Sequence, residues 1–211
     1  MGSQESSDSL ASRLQHLLSR LQAGANLQLL LSEMVDVVSE HTRCESVGIR
    51  WKASDDYPYL VTRGFGRDFV VREGPLCSRD AAGIILRHPD GTPRLACMCG
   101  AVVQGRTDRA LPFFTEGGSF YTNGTTELLA TAPPSALSDI PTRNYCNHAG
   151  YESVALVPLR VGDEVCGLLQ LNSRTPGRFT PQSIAMYEKL ARDIATALAS
   201  RRAGEGPLST C

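Results

Sequence analysis

Two cysteines one residue apart offer the most specific chemistry in this chain. They are Cys97 and Cys99, in Leu95-Ala96-Cys97-Met98-Cys99-Gly100. Cys77 lies upstream in Pro75-Leu76-Cys77-Ser78, and Cys146 lies downstream in Arg143-Asn144-Tyr145-Cys146-Asn147-His148. If the four thiols Cys77, Cys97, Cys99 and Cys146 meet, they form a complete four-cysteine donor set of the kind that zinc and iron–sulfur clusters take. His148 is a possible substitute donor. On a strand, Cys97 and Cys99 would face one side about 6.5–7 Å apart. That is too far for an easy mutual disulfide, but one metal centre can span it with modest bending. In a turn they would chelate one ion more tightly. The spacing is dispersed and lacks the paired C-x-x-C knuckles of zinc ribbons. Two other readings therefore stand beside metal binding: a redox-active thiol set, and thiols that simply pack in the interior.

The other polar candidates are weaker. A reactive thiol needs a lowered pKa, which nearby cations such as Arg79, Arg94 or Arg143 would supply. Gly117-Gly118-Ser119-Phe120-Tyr121-Thr122-Asn123 can offer a small ligand backbone N–H groups and the side chains of Ser119, Tyr121 and Asn123, with His148 as a further ligand-binding candidate. The plainer reading of that stretch is a tight connection between short strands. Cys44, Cys166 and Cys211 are read as structural or without a role. His16, His41 and His88 are read as surface residues. There is no G-x-x-x-x-G-K loop, no H-E-x-x-H helix and no Ser–His–Asp neighbourhood.

These residues need elements to hold them. The chain has 211 residues, 42% of them hydrophobic, enough for one domain with a real core. Its 21 basic and 22 acidic residues leave no basic surplus, so nucleic acid is not an expected partner. The start, Met1-Gly2-Ser3-Gln4-Glu5-Ser6-Ser7-Asp8, is not a signal peptide. No apolar run approaches the length of a membrane span. The expected setting is the cytoplasm, where seven thiols, an odd number, stay reduced rather than forming a disulfide framework.

Residues 1–8 are expected to be a disordered tail. Residues 9–24 are expected to form an N-terminal helix on Leu10, Leu14, Leu17, Leu18 and Leu21. Its apolar seam is wider than a lone terminal helix needs, which suggests contact with a partner copy. Residues 25–202 form the domain and 203–211 a flexible tail. Within the domain a second helix runs over about 26–41, with strands at 46–51 and 59–62. Ser153–Leu159 and Val165–Leu171 form a hairpin about Val161-Gly162-Asp163-Glu164. Pro158 fits there if its strand is an edge or bulges. A last helix opens at Thr180, the N-cap, and Pro181. The region from about 64 to 141 is irregular. A loop of that length is abnormal in a compact domain, so either short elements or a bound centre must order it.

The order helix, sheet, long insertion, hairpin, helix resembles that of GAF domains. Tyr151–Arg160, Gly167–Asn172 and Gly177–Pro181 resemble their closing strands and helix. Cys97-Met98-Cys99-Gly100, Pro112–Phe120, Thr125–Ala130 and Arg143–Cys146 are similar to a Cys-bearing subset found in bacterial multi-sensor histidine kinases. The resemblance covers roughly 25–200. It implies an α+β fold: a central antiparallel sheet of about five or six strands, the N- and C-terminal helices on one face, and the long insertion capping the other over the ligand. It implies a sensory module that signals by helix repacking, as a homodimer through its terminal helices and with a histidine kinase or other signalling partner. An iron–sulfur cluster is the preferred cofactor expectation, with zinc as the alternative, because a redox-labile cluster gives a sensor a signal whereas zinc would only staple the loop. GAF domains also bind cyclic nucleotides, tetrapyrroles, haem and small organics. No kinase, cyclase or DNA-binding segment follows the last helix in this sequence, so output is expected through a partner, or the chain itself is the catalyst. The catalytic alternative is a GAF-fold enzyme that uses the cysteines or a metal centre on a small substrate. Free methionine-R-sulfoxide reductases are GAF-fold enzymes of that kind, although their motif context is not found around these cysteines.

Overall fold

The computed structural model of the protein describes residues 12–21, 23–132 and 142–204. The expected tail over 1–8, Leu10, the tail beyond 204 and the middle of the insertion lie outside the described residues.

Strand alternation sets the plan. Five antiparallel strands form one sheet in the order β2-β1-β5-β4-β3. They are β1 (Ser46–Trp51), β2 (Tyr59–Arg63), β3 (Phe120–Thr122), β4 (Ser153–Val161) and β5 (Glu164–Ser173). β5 and β1 are central, so their side chains are covered on both faces. Val47, Ile49 and Trp51 of β1 point one way with Leu169 and Leu171 of β5 and Ala155, Val157 and Leu159 of β4. These meet helix 12–21 (α1), α2 (Leu27–Thr42) and the C-terminal helix. The intervening residues point the other way, and there Leu168, Val154, Leu156 and Phe120 meet the insertion in a second core.

The helices begin where their caps put them. The side chain of Asn26 accepts from Leu29 N at 3.0 Å and starts α2. At the start of the C-terminal helix, Ser183 N donates to Thr180 Oγ1 at 3.1 Å and Thr180 N donates to Ser183 Oγ at 2.9 Å, a reciprocal cap. Leu14, Leu17 and Leu21 of α1 are buried in the helix-side core. Of the seam that suggested a partner copy, these three leucines turn inward and Leu18 is half-buried against the same core. Pro158 lies beyond the end of β3, whose pairing with β4 covers only Val154 to Leu156. At that point β4 is an edge, which is how the sheet accommodates a residue without an N–H.

The insertion is not structureless. α3 (Arg67–Glu73), α4 (Cys97–Val103), α5 (Thr125–Thr131) and α6 (Tyr145–His148) lie within it, followed after the hairpin by α7 (Pro181–Gly204). Between α3 and α4 the chain folds back on itself through single bridges, Cys77 to Leu95, Arg79 to Ile85 and Arg87 to Pro93. Short elements thus run through the described part of the region. Among the described residues no helix is long and apolar enough to cross a membrane.

Candidate functional site

Helix α4 carries the paired cysteines, and its approach to the sheet fixes them. A Cβ at Gly100 would lie 2.6 Å from Leu95 Cβ and 2.7 Å from the Leu95 carbonyl carbon. Only glycine lets the helix turn this close against its own lead-in. The same tight turn puts Cys97, at φ +64°, in the left-handed region. Such a conformation costs a non-glycine residue about 1–3 kcal/mol and persists only where the surroundings hold it. Cys97 and Cys99 therefore open a helix, and neither the strand nor the simple turn considered from sequence applies.

The structure brings three of the four predicted thiols together. Cys97, Cys99 and Cys146 line one cavity of about 80 Å³ beneath the insertion, with Glu73, Phe120, Val154 and Leu156. Cys77 stands apart. Its Sγ donates to the Asp55 carbonyl at 3.1 Å, and the charges that bear on it are those of Asp56, Asp55 and Arg79. Among the described residues, no group of three or more His, Cys, Asp or Glu is already at metal-binding spacing.

Each thiol has distinct neighbours. Cys97 Sγ accepts from Arg143 N at 3.2 Å and from Arg143 Nε at 3.3 Å, and lies 3.8 Å from Glu73 Oε2. Arg143 also pairs with Glu73, Nε to Oε1 at 3.3 Å, and donates to the carbonyls of Arg72 and Pro75. Cys146 Sγ accepts from Asn172 Nδ2 at 3.5 Å and, more distantly, from Gln170 Nε2 at 3.9 Å. Among the described residues Cys99 Sγ makes one long contact, 4.0 Å, to Gln170 Oε1. Beneath them Tyr59 donates to Gln170 Oε1 at 2.8 Å, and Arg50 lies 3.6 Å over the Tyr59 ring. Arg50 is fully buried and donates to the carbonyls of Tyr57, Glu73 and Gly74.

Burial governs the protonation of these thiols. It pushes Cys99 up to about 12, with Arg50 opposing and Cys97 adding to the rise. It also pushes Cys146 up strongly, with Cys99 adding. Cys97 is raised by burial and by the Glu73 carboxylate, against the pull of Arg143. Cys77 is pushed up to about 11 by burial and by Asp56. All four are thiols, not thiolates, at neutral pH, which makes them poor nucleophiles until something displaces the proton.

The other predicted ligand residues do not line the cavity. Ser119 Oγ donates to Glu188 Oε1 of α7 at 2.7 Å, beside Thr115 Oγ1, which donates to the same oxygen at 2.5 Å. Asn123 clamps the entry to α7: Nδ2 donates to the Phe179 carbonyl at 2.7 Å and Oδ1 accepts from Phe179 N at 2.8 Å. Tyr121 packs against the helix-side core. His148 is exposed at the end of α6. Sequence reasoning missed Glu73, Arg50, Gln170 and Asn172. Gln170 and Asn172 carried a usable signal, two amides at alternate positions of an otherwise apolar strand. Glu73 carried none, since its spacing is that of any helix-surface residue.

No curated protein matches the chain in sequence. Solved structures resemble it closely in fold and only distantly in sequence. The GAF domain of a phosphoenolpyruvate-protein phosphotransferase from Coxiella burnetii superposes with a TM-score of 0.59 at 14% identity, covering 95% of this chain and 99% of that one. The free methionine-R-sulfoxide reductase from Neisseria meningitidis gives 0.58 at 14% identity, covering 94% and 93%. A domain assigned to a two-component sensor histidine kinase of Sinorhizobium meliloti 1021 gives 0.53 at 11% identity, covering 86% and 96%. The sequence model of the GAF domain matches residues 26–198, which takes in the whole sheet, the cavity and most of α7. By that match and this architecture, the chain belongs to the GAF domain family.

Proposed function

We propose that the chain is a sensory module whose input is a thiophilic metal centre, an iron–sulfur cluster or a zinc-type ion, bound in the cavity beneath the insertion. The observation that carries this reading is the convergence of Cys97, Cys99 and Cys146 on one half-open cavity. Soft thiol donors select such centres over hard cations. Size narrows the choice further. A cavity of about 80 Å³ is far below the roughly 300–1,000 Å³ of pockets for organic ligands and cofactors, so a nucleotide, haem or tetrapyrrole does not fit it as it stands. When bound, the centre would supply charge neutralisation for the thiolates and, if it were a cluster, a one-electron redox signal. The residues themselves hold, orient and seal it. Asn172 and Gln170 aim Cys146, and Arg143 backs Cys97.

A route to the output helix leads from the same wall. Phe120 lines the cavity on one face of β3. Its neighbour Ser119 faces the other way and holds Glu188 of α7. β3 is three residues long and lies at the sheet's edge, the strand with the fewest ladder bonds to resist a shift. A change in the cavity that moves Phe120 reaches α7 through Ser119 and Glu188. Repacking of the terminal helices then passes to a second copy of the chain and to a histidine kinase or another signalling protein.

The enzymatic reading, a GAF-fold enzyme using these cysteines on a small substrate, is the weaker one. Its nucleophile would need a lowered pKa, and the thiols here are raised. The test is metal and acid-labile sulfide analysis with a visible spectrum on anaerobically purified protein. Iron with sulfide, or one equivalent of zinc, lost in Cys99→Ser or Cys146→Ser, is the expected outcome. Metal-free protein that takes up neither iron nor zinc would end this reading.

A further inference from the structure

We infer that Glu73, and not Cys77, is the fourth donor of this centre, making it a site of three thiolates and one carboxylate suited to a borderline divalent cation such as zinc. This rests on the metal-centre reading above and deepens it. Three observations single out Glu73. Its side chain lines the cavity with the three thiols, at the C-terminal end of α3. It is 4% exposed, and among the described residues its Oε1 accepts no hydrogen bond and meets Arg143 Nε alone, in an ion pair at 3.3 Å. A carboxylate is almost never buried this deeply without a task or a full set of donors.

The third observation is a distance. Two donors of one tetrahedral zinc, a sulfur at about 2.3 Å and an oxygen at about 2.0 Å, lie about 3.5 Å apart along the tetrahedral edge. Cys97 Sγ and Glu73 Oε2 are 3.8 Å apart before any metal draws them together. Half of the coordination shell is thus set to within a few tenths of an ångström. Cys99 and Cys146 line the same cavity and would have to turn their side chains to complete it, and their present partners are weak sulfur contacts of 3.5–4.0 Å. Cys77, by contrast, would have to leave the Asp55 carbonyl and enter a cavity it does not line.

Charge supports the same set. Arg50 is buried beneath the site and Arg143 lies at its side, so the metal-free pocket with neutral thiols holds two cations against one carboxylate. A divalent ion bound to three thiolates and Glu73 carries two net negative charges, which the two arginines balance. On binding, the three thiol protons go to solvent, and each sulfur gains a metal bond in place of its S–H. Arg143, already donating twice to Cys97 Sγ, stays as an outer hydrogen-bond partner of that thiolate. A carboxylate among thiolates favours a zinc-type ion, which takes Asp or Glu oxygen readily, over a cluster, whose usual donors are cysteine thiolates.

The test is titration of the full metal-free chain with cobalt(II), read by sulfur-to-metal charge-transfer and visible ligand-field absorption, followed by competition with zinc(II). The parent, Glu73→Gln, Cys77→Ser and Cys146→Ser are compared, each first checked for a cooperative thermal transition. Cys77→Ser is expected to bind as tightly as the parent with an unchanged spectrum. Glu73→Gln is expected to bind at least about tenfold more weakly, the floor set by losses of mere outer-shell partners, and to lose the tetrahedral ligand-field pattern. If Glu73→Gln fails to fold, Glu73→Asp replaces it, and a shifted spectrum from the shorter carboxylate is expected. Loss of binding in Cys77→Ser with full binding in Glu73→Gln would overturn the assignment. So would native iron with acid-labile sulfide, which would leave the metal-centre function standing. A parent chain that binds neither cobalt nor zinc and holds no iron would sink both.

Discussion

The two faces of the sheet are built from the same strands and do different work. On the helix side, β1, β4 and β5 present Val47, Ile49, Trp51, Ala155, Val157, Leu159, Leu169 and Leu171 to three helices, an apolar contact throughout. On the other side, the same strands present Arg50, Gln170 and Asn172 to a patchwork of short helices and single bridges. Burying an arginine and two amides there costs stability unless every donor finds an acceptor. The chain partners most of these groups with carbonyls, a tyrosine and thiols, and leaves Arg50 Nε without a hydrogen-bond partner among the described residues. One face holds the fold together, and the other carries a polar, adjustable site on a rigid support.

That contrast can be broken at graded strengths. The largest effect is expected on the helix side. Leu169→Ala, at a fully buried β5 position, should cost about 2–5 kcal/mol, read as a lower midpoint in denaturant unfolding, with metal uptake at the cap unchanged. Ser119→Ala comes next. It removes a hydrogen bond to a carboxylate, worth about 1.5–3 kcal/mol. It should leave metal stoichiometry intact while abolishing any metal-dependent change in α7, seen by site-specific fluorescence on that helix. Gly100→Ala forces a methyl against Leu95 and should cost about 1–3 kcal/mol, with loss of metal binding out of proportion to the loss of stability.

The mildest effect at neutral pH concerns the thiols themselves. In the unfolded chain a cysteine ionises at about pH 8.5, whereas folded Cys99 keeps its proton up to about 12. The unfolded state therefore binds fewer protons between these values, and stability falls as pH rises through that window. Below about pH 8 the contribution is fully present. Urea midpoints of metal-free protein should decline from about pH 9 upward, and Cys99→Ala should flatten the decline. Cys44→Ala, on the helix side, should flatten it less, since burial takes that thiol only to about 11.

The same contrast explains what was legible in the sequence. Periodic burial wrote α2, β1, the β4–β5 hairpin and the Thr180–Pro181 cap directly into the residue pattern. The insertion has no period, because its described segments meet through single bridges and its described helices are seven residues or fewer. Three of the four candidate thiols do converge, but Cys77 looked equivalent to them, since nothing local shows that its Sγ goes to the Asp55 carbonyl. Ser119 and Asn123 were singled out for hydroxyl and amide chemistry that sequence cannot direct. Their hydrogen bonds go to α7 and its lead-in, which recasts them as part of the path to that helix. Leu14, Leu17 and Leu21 of the α1 seam that suggested a second molecule pack into the helix-side core, which the seam alone could not show because the rest of that core comes from other parts of the chain.

The most direct test of the account is hydrogen–deuterium exchange on the full chain, stripped of metal and then loaded with zinc(II). The account predicts slower exchange in α4, α6 and β3 and in the turns of α7 around Glu188, with α2 unchanged. Exchange that is identical in both states, or altered at the cap without any change in α7, would contradict it.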